Sequence, residues 1–269
     1  MSHTVVTSFT ESGYNRYAKA FVDSFRQYWP KEVNLVVYYE GTNPQEGWRF
    51  IDEVRDLDNW MEAIKPFNLM TGKVGEKYNI NLDAGMVRKA FIEAHAARTF
   101  GGKVVWVDSD VVTFAEVPEN FIDFTLPDDK VCCYLGRDWM YTESGYIGFN
   151  YDHPACEGFL QLYLNIFTSG AIFSQPGWHD CYGFDAARKV MIKNMPEAND
   201  YFNDLAAHLP DGVMHPFINS VLGTCLDHRK GPRKDTRSDP KDLVIPRKEV
   251  YWTQPEATAP STEILIAAT

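Results

Sequence analysis

Short apolar runs alternate with amphipathic helical patterns along most of the chain. Residues 3–9 and 33–40 are rich in β-branched and aromatic residues, which predicts buried strands. Aromatic side chains recur at helical spacing in residues 14–29, which predicts a helix. The other predicted elements are strands leading into Asp108 and over 130–136, and helices over 85–100, 156–167 and 185–195. This order predicts a single α/β domain with a mixed, mainly parallel sheet flanked by helices.

Composition narrows the class of protein. A chain of 269 residues, 45% hydrophobic and 14% aromatic, is large enough for a substantial core. We find no apolar run of the roughly 20 residues that a membrane helix needs, and no signal-peptide pattern at the N-terminus. The five cysteines lack paired CxxC spacing, which favours reduced thiols in a cytoplasm. The net charge of −11 argues against non-specific coating of nucleic acid.

The charge is unevenly distributed. Residues 229–248 contain eight lysines and arginines, opposed there by three aspartates. A basic segment on an acidic protein indicates a localised anionic ligand, or else a solvated and flexible segment.

Four apolar or aromatic residues run directly into two aspartates in VVWVDSD, which ends with Asp108 and Asp110. Side chains two apart on a strand share a face, so the two carboxylates would project together if the extended geometry persists. Neighbouring carboxylates repel unless a cation lies between them, and Mn²⁺ or Mg²⁺ suits oxygen ligands. A polar turn after the strand is the alternative. Ligands of open α/β sheets bind beyond the carboxyl ends of strands, where residues 8–11 would border the same cleft.

Far downstream, LDHRKGPRK contains His228, Gly231 and Lys234 in an HxxGxxK pattern. Together with WVDSDV, it resembles the retaining glycosyltransferases of the GT-A (Rossmann-like) fold, related to glycogenin and to lipopolysaccharide galactosyltransferases. The resemblance covers roughly residues 3–252. It implies that His228 completes a metal site with Asp108 and Asp110, and that Gly231 and Lys234 hold the donor diphosphate. The pattern departs from the family after Lys234, where Asp235-Thr236 stands in place of Pro-Trp.

The same resemblance implies further site residues. A basic residue on the helix before the aspartates contacts the donor, and the spacing leaves Arg88 and Lys89 both open. Asp83 would pair with that residue or bind the sugar, and Ser109 is assigned to donor binding. The alternative is an ordinary amphipathic helix surface. Residues 143–150 resemble the segment along the sugar pocket, where Gly145 and Gly148 would allow close approach of the backbone to a ligand.

Asp180 matches an acidic residue that contacts the donor sugar near the reacting carbon, so Asp180 and Lys89 are the predicted catalytic residues. Asp185 is a second candidate, with an N-cap of the following helix as its alternative. The nucleoside is expected after the first strand. The side chains assigned to it are Thr7, Phe9 and Tyr14.

The implied enzyme is a metal-dependent hexosyl- or pentosyltransferase. It would use a nucleoside-diphosphate sugar, UDP-linked, and a glycan hydroxyl. Residues 1–115 would bind the nucleotide sugar, 116–254 would form the sugar pocket and acceptor part, and 255–269 would be a tail of the 1–254 domain. The expected location is the cytoplasm of a bacterium or of a virus-infected cell. No feature of the sequence predicts the oligomeric state.

Two other functions stay open. In a viral member of the family, the basic segment with Tyr251 and Trp252 would hold DNA for transfer to a hydroxymethylated base. A non-catalytic nucleotide-sugar-binding protein, or a nucleotidyltransferase, is the alternative of another class.

Overall fold

The computed structural model describes residues 3–40, 53–56, 84–137 and 139–254. The predicted site residue Asp83 and the predicted tail 255–269 lie outside these ranges. Within them the strands are β1 (Thr4–Thr10), β2 (Asn34–Glu40), β3 (Glu53–Asp56), β4 (Lys103–Val107), β5 (Val111–Thr113), β6 (Cys132–Leu135), β7 (Glu143–Asn150), β8 (Phe202–Asp204) and β9 (Leu226–His228).

The helices lie mostly between the strands, as the alternating pattern predicts. They are α1 (Glu11–Gly13), α2 (Lys19–Tyr28), α3 (Ala84–Phe100), α4 (Phe121–Thr125), α5 (Cys156–Thr168), α6 (Asp180–Asn194), α7 (Pro216–Asn219) and α8 (Val250–Thr253). A π-helical turn, Tyr14–Ala18, joins α1 to α2. None of the described helices is long and apolar enough to cross a bilayer. The five cysteines are buried and free of disulfides.

Seven strands form one sheet in the order β3-β2-β1-β4-β7-β6-β8, and β5 pairs with β9 in a separate two-stranded ladder. Neighbouring strands run parallel except on the two sides of β7, which is antiparallel to both β4 and β6. The predicted mixed, mainly parallel sheet flanked by helices is therefore confirmed. Because β7 runs the opposite way, its first residue lies at the sheet edge where β1, β4, β6 and β8 end.

Both faces of the central strands are covered. Val5 of β1 and Val105 of β4 pack with Phe21 and Phe25 of α2. On the opposite face Trp106 packs in a cluster with side chains of α3. Burial on both faces explains why β4 reads as a continuous apolar run instead of an alternating one.

The long predicted elements are found within a few residues of their expected ends, and two differences concern the site. Helix α6 begins at Asp180, five residues before the predicted start at Asp185. The extended strand stops at Val107, so Asp108 and Asp110 lie in a turn before β5. The polar-turn alternative therefore describes the backbone here correctly.

The segment after β9 is anchored by a buried carboxylate. Asp227 accepts hydrogen bonds from the backbone N–H of Ser238, at 3.0 Å, and from the hydroxyl of Tyr251, at 2.6 Å. The ring of Tyr251 stacks on Phe114 with 4.0 Å between centroids. These contacts hold the chain from 229 to 254 against the strand that carries His228.

We expect Asp227→Ala to lower the free energy of unfolding by about 2–4 kcal/mol, because it leaves the buried donors of Ser238 and Tyr251 without an acceptor. Urea denaturation monitored by circular dichroism measures the change. Asp200→Ala is the matched control, since Asp200 is exposed, and should change stability by less than about 0.5 kcal/mol. Equal effects of the two substitutions would contradict the anchoring role.

Candidate metal and diphosphate site

The two sequence motifs meet through the short ladder of β5 and β9. Val111 is the register partner of His228, and the backbone N–H of Arg229 donates to the carbonyl of Asp110 at 3.1 Å. The turn before β5 is closed by a hydrogen bond from Val111 N–H to the Asp108 carbonyl, at 3.0 Å. Strand pairing therefore places the imidazole beside both carboxylates, although more than a hundred residues separate the motifs.

One ligand atom from each of Asp108, Asp110 and His228 lies within 4.8 Å of the other two. The Nε2 of His228 is 3.1 Å from Oδ1 of Asp110 and 3.5 Å from Oδ2 of Asp108. Two carboxylates and one imidazole form a donor set for a divalent ion such as Mn²⁺ or Mg²⁺, with further positions left for other oxygen ligands. The residues present fit such an ion.

His228 and Asp110 each shift the pKa of the other strongly. Burial lowers the pKa of the His228 imidazole, but the Asp110 carboxylate and hydrogen bonds outweigh burial and raise that pKa to about 9. Burial raises the pKa of Asp110, but His228 and Lys234 reverse this and hold it well below its ordinary value. Without a metal ion, a protonated imidazole thus neutralises the carboxylate at neutral pH.

Glu143, the first residue of β7, holds the other side of His228. Its Oε1 lies 2.9 Å from Nδ1 of His228, and its Oε2 accepts from the ammonium of Lys230. The carboxyl is buried, which raises its pKa, but Lys230 and His228 lower it well below the ordinary value. An ionised Glu143 keeps the proton of neutral His228 on Nδ1 and directs the Nε2 lone pair toward the two aspartates. The sequence resemblance assigned residues 143–150 to the sugar pocket and gave no sign of this contact.

Gly145 and Gly148 have a different role from the predicted close approach to a ligand. A Cβ at Gly145 would overlap the His228 imidazole, and one at Gly148 would press on the sulfur of Cys133. The glycines make room for neighbouring side chains of the protein.

Lys89, one of the two basic residues that the helix spacing left open, lies against the aspartates of the cluster. Its Nζ donates to Oδ1 of Asp108 at 2.9 Å and lies 3.4 Å from Oδ2 of Asp180. The carbonyl of Ser144 accepts from the same ammonium. Burial lowers the pKa of Lys89, but the surrounding carboxylates reverse this and raise it above its ordinary value. Arg88 is half-buried on the same helix.

A buried layer beneath Lys89 was not predicted. The indole N–H of Trp106 donates to Oδ1 of Asp108 at 2.6 Å, and the hydroxyl of Tyr163 donates to Glu93 at 3.1 Å. Burial raises the pKa of Glu93 to about 8. Trp106 precedes Asp108 by two residues at the end of β4, a spacing at which extended side chains share a face. Glu93 is one helical turn from Lys89, a spacing that could have identified it.

Lys234 and Gly231 lie on the open side of the cluster. The ammonium of Lys234 is 3.1 Å from Oδ2 of Asp110 and 3.9 Å from the ring centroid of Tyr17. Gly231 adopts φ +59°, a left-handed conformation that favours glycine, and a Cβ there would meet no atom within 4 Å. The backbone at Gly231 is therefore open to a ligand.

The residues predicted to hold the nucleoside lie at the end of β1. The Ser109 hydroxyl donates to the Ser8 carbonyl at 2.9 Å, so this strand end and the aspartate turn are in contact. Thr7 is fully buried and its Oγ1 has no hydrogen-bond partner among the described residues. The Phe9 ring is packed in the core, 5.6 Å from the half-buried ring of Tyr14. Tyr14 is thus the more accessible of the two rings.

Asp185 does not begin a helix, which corrects its N-cap alternative. It lies in the second turn of α6 and accepts hydrogen bonds from the N–H of Thr142, at 2.9 Å, and from its hydroxyl, at 2.6 Å. These bonds fix the chain just before Glu143.

Known structures resemble the chain at low identity, whereas no protein-family model and no curated protein matches it. The WbbM bifunctional glycosyltransferase is 15% identical, with TM-score 0.47 over 76% of this chain and 39% of its own. Mouse xyloside xylosyltransferase 1 is 13% identical, with TM-score 0.48 over 76% and 85% of the two chains. A glycosyltransferase of PBCV-1 major capsid glycosylation is 15% identical, with TM-score 0.46 over 87% and 98%. This chain spans about two fifths of the WbbM length.

We expect Gly145→Ala to weaken Mn²⁺ binding at least tenfold, because the added methyl group displaces the His228 imidazole. Such overpacking also costs about 1–3 kcal/mol of stability. Gly158→Ala is the matched control, since Gly158 is in helix α5 with nothing near its missing Cβ, and should bind Mn²⁺ normally. Calorimetric titration of both variants measures the affinity, and unchanged binding in Gly145→Ala would contradict this packing.

Metal affinity should rise with pH. The pKa of His228, raised to about 9, means that an ion must displace a proton at neutral pH. We expect the Mn²⁺ dissociation constant to fall about tenfold per pH unit between pH 6.5 and 8.5, with about one proton released per ion. Protonation of His228 also makes the stability of the fold depend on pH. The charged imidazole stabilises the metal-free fold fully below its unfolded pKa of about 6.5, and this is lost as pH rises through the folded value.

Titration calorimetry in buffers of different ionisation enthalpy measures the released proton. His228→Ala is the comparison variant and should bind weakly with a flatter pH dependence. A dissociation constant that does not change over this range in the unsubstituted protein would exclude His228 as a ligand that loses a proton.

Proposed function

We propose that the protein is a metal-dependent, retaining glycosyltransferase of the GT-A type. In this proposal it moves a hexose or pentose from a nucleoside-diphosphate sugar, with UDP as the nucleotide, to a hydroxyl of a glycan. The observation that carries the proposal is the convergence of Asp108, Asp110 and His228 with the Lys234 ammonium at the carboxyl edge of a mainly parallel sheet. Metal ligands and a phosphate-binding cation together suit a diphosphate leaving group.

The leaving group would be handled by the open side of the site. A divalent ion held by Asp108, Asp110 and His228 would act as a Lewis acid toward the charge of the departing diphosphate. Lys234 would move its ammonium from Asp110 toward a phosphate oxygen, a point charge on a flexible stem. The left-handed turn at Gly231 lets phosphate oxygens approach the main chain without a side chain in the way.

The sugar would lie over Lys89 and Asp180. Oδ2 of Asp180 is buried and accepts no hydrogen bond in the described part of the chain, although Lys89 is 3.4 Å away. In our proposal this oxygen stabilises the positive charge that develops at the reacting carbon. Lys89 binds both Asp180 and Asp108, and so holds the sugar side of the site at a fixed position relative to the diphosphate side. The family resemblance implies that the acceptor hydroxyl attacks the sugar on the same face from which the diphosphate departs.

The basic segment 229–248 offers little support for a DNA acceptor, because most of its cationic side chains contact other groups of the protein. Six of the eight basic side chains of 229–248 are directed at protein partners. Lys230 pairs with Glu143, Arg233 with Asp242, Lys234 with Asp110, Arg237 with the Tyr251 carbonyl, Arg247 with the Ile218 carbonyl, and Arg229 lies 4.0 Å from Asp227. The segment contains 3₁₀ turns with specific contacts, which argues against its solvated, flexible alternative. Trp252 is buried and unavailable for stacking on a base.

Incubation with Mn²⁺ and a panel of nucleotide sugars tests the proposal. We expect UDP to be released from a UDP-sugar slowly by hydrolysis and faster with saccharides present, and release to stop with EDTA. Asp110→Ala and His228→Ala should each lower the rate at least a hundredfold, since each removes a metal ligand. Asp200→Ala, at an exposed position, should retain full activity.

The competing functions give different results. Binding of a nucleotide sugar without release of nucleotide would identify a non-catalytic protein, and formation of a nucleotide sugar from a sugar phosphate would identify a nucleotidyltransferase. Full activity of both Asp110→Ala and His228→Ala would place the chemistry elsewhere in the molecule.

A further inference from the structure

A depression lies at the same edge of the sheet as the carboxylate cluster. It is shallow and open to solvent, with a cavity volume of about 50 Å³, between the chain after β6 and the chain after β8. Its lining includes Arg137, Trp139, Asp204, Asp211 and Pro216. A cavity of about 50 Å³ holds only a few water molecules, so a sugar ring would rest on its open mouth and would not be enclosed.

The strand order relates this depression to the metal ligands. The carboxyl ends of β4, β6 and β8 lie at one edge, with β7 between β4 and β6. At a strand spacing of about 4.8 Å, the depression is displaced by roughly 10–15 Å along the sheet from the aspartate turn. Residues that line the depression are also connected by hydrogen bonds to the residues around His228. Arg137 bonds the carbonyl of Thr142, which precedes Glu143, and Pro216 follows His215, whose Nε2 lies 3.2 Å from the His228 carbonyl oxygen.

The chemistry of the lining selects a neutral polyhydroxylated ligand. Asp204 uses Oδ1 to accept from the N–H groups of Gly136 and Ala206, at 2.8 and 2.9 Å, and Oδ2 accepts no bond from the described residues. Asp211 is exposed. Carboxylate oxygens accept hydrogen bonds from hydroxyl groups and repel phosphates.

The one cation among these five residues is already engaged. Arg137 donates to the carbonyls of Tyr141, Met214 and Thr142 at 2.8, 3.2 and 3.4 Å, and lies 4.8 Å from the centre of the Tyr141 ring. It therefore braces the wall of the depression. Trp139 leaves 50% of its surface exposed at the rim, although tryptophan is mostly buried in folded proteins. An exposed indole supplies a rigid apolar face on which the CH groups of a sugar ring can pack.

We propose that this depression is the acceptor subsite, and that it binds a saccharide with one sugar ring packed on Trp139 and its hydroxyls donating to Asp204 and Asp211. The inference rests on the proposed glycosyl transfer for its role as an acceptor site. Binding of the saccharide itself is independent of catalysis. Acceptor units held here, about 10–15 Å from the metal ligands, would extend toward the reacting hydroxyl.

Saturation-transfer difference NMR with lactose, maltose and cellobiose tests the subsite directly. We expect transfer to the CH protons of at least one disaccharide, and an affinity about tenfold lower in Trp139→Ala through loss of the buried apolar area. Trp139→Phe should retain most of the binding. The matched control is Phe124→Ala, an aromatic residue that is 60% exposed and outside the depression, and it should bind like the unsubstituted protein.

The same variants are then assayed for release of UDP from UDP-sugars with Mn²⁺. Trp139→Ala should keep the hydrolysis rate without acceptor and lose the acceleration by saccharide. Saccharide binding that depends on Trp139, in a protein that releases no UDP, supports the subsite and contradicts the proposed transfer. UDP release with no Trp139-dependent saccharide binding overturns the subsite and leaves the transfer standing. A raised KM for the UDP-sugar in Trp139→Ala, or displacement of the disaccharide by UMP, would assign the depression to the donor and overturn the inference.

Discussion

Two carboxylates placed side by side require positive charge, and the site is organised around that requirement. Asp108 receives the Lys89 ammonium and the Trp106 indole N–H, while Asp110 receives His228 and Lys234. Each of these cationic groups comes from a different part of the chain. Lys89 is on α3, His228 ends β9, and Lys234 lies in the following 3₁₀ turn. The paired aspartates thus draw helix α3 and the distant segment 228–234 to the same turn.

The parts of this site that could be predicted from sequence are those that form local patterns. The pair of aspartates after a long apolar run, and a downstream segment with histidine, glycine and lysine, are local patterns that can be read without coordinates. The sheet and its main helices follow from periodicities of five or more residues. Strands β5 and β9 are three residues each, too short to show any period, yet their pairing alone brings His228 to the aspartates.

The residues that were missed act through long-range contacts instead of local patterns. Glu143 is 85 residues from His228, and the sequence around it reads only as a glycine-interrupted strand. Its partnership follows from the antiparallel direction of β7, which brings the start of that strand to the ligand edge. Gly145 is needed because the His228 imidazole occupies the space where a side chain would be, and the sequence does not show this. This fit depends on the relative positions of β7 and β9 in the folded protein, so it cannot be predicted from a single sequence.

The balance of charge at the site also favours an anionic ligand once a metal ion is present. Four carboxylates, those of Asp108, Asp110, Glu143 and Asp180, face four cationic groups, those of Lys89, Lys230, Lys234 and protonated His228. A divalent ion that takes the place of the His228 proton adds one net positive charge to a largely buried cluster. A diphosphate that enters beside the ion offsets this surplus and draws Lys234 away from Asp110, which then has the ion as its counter-charge. The basic segment of an acidic protein is therefore explained by internal contacts, because most of its side chains approach carboxylates or backbone carbonyls, and two of them, Lys230 and Lys234, do so at the site itself.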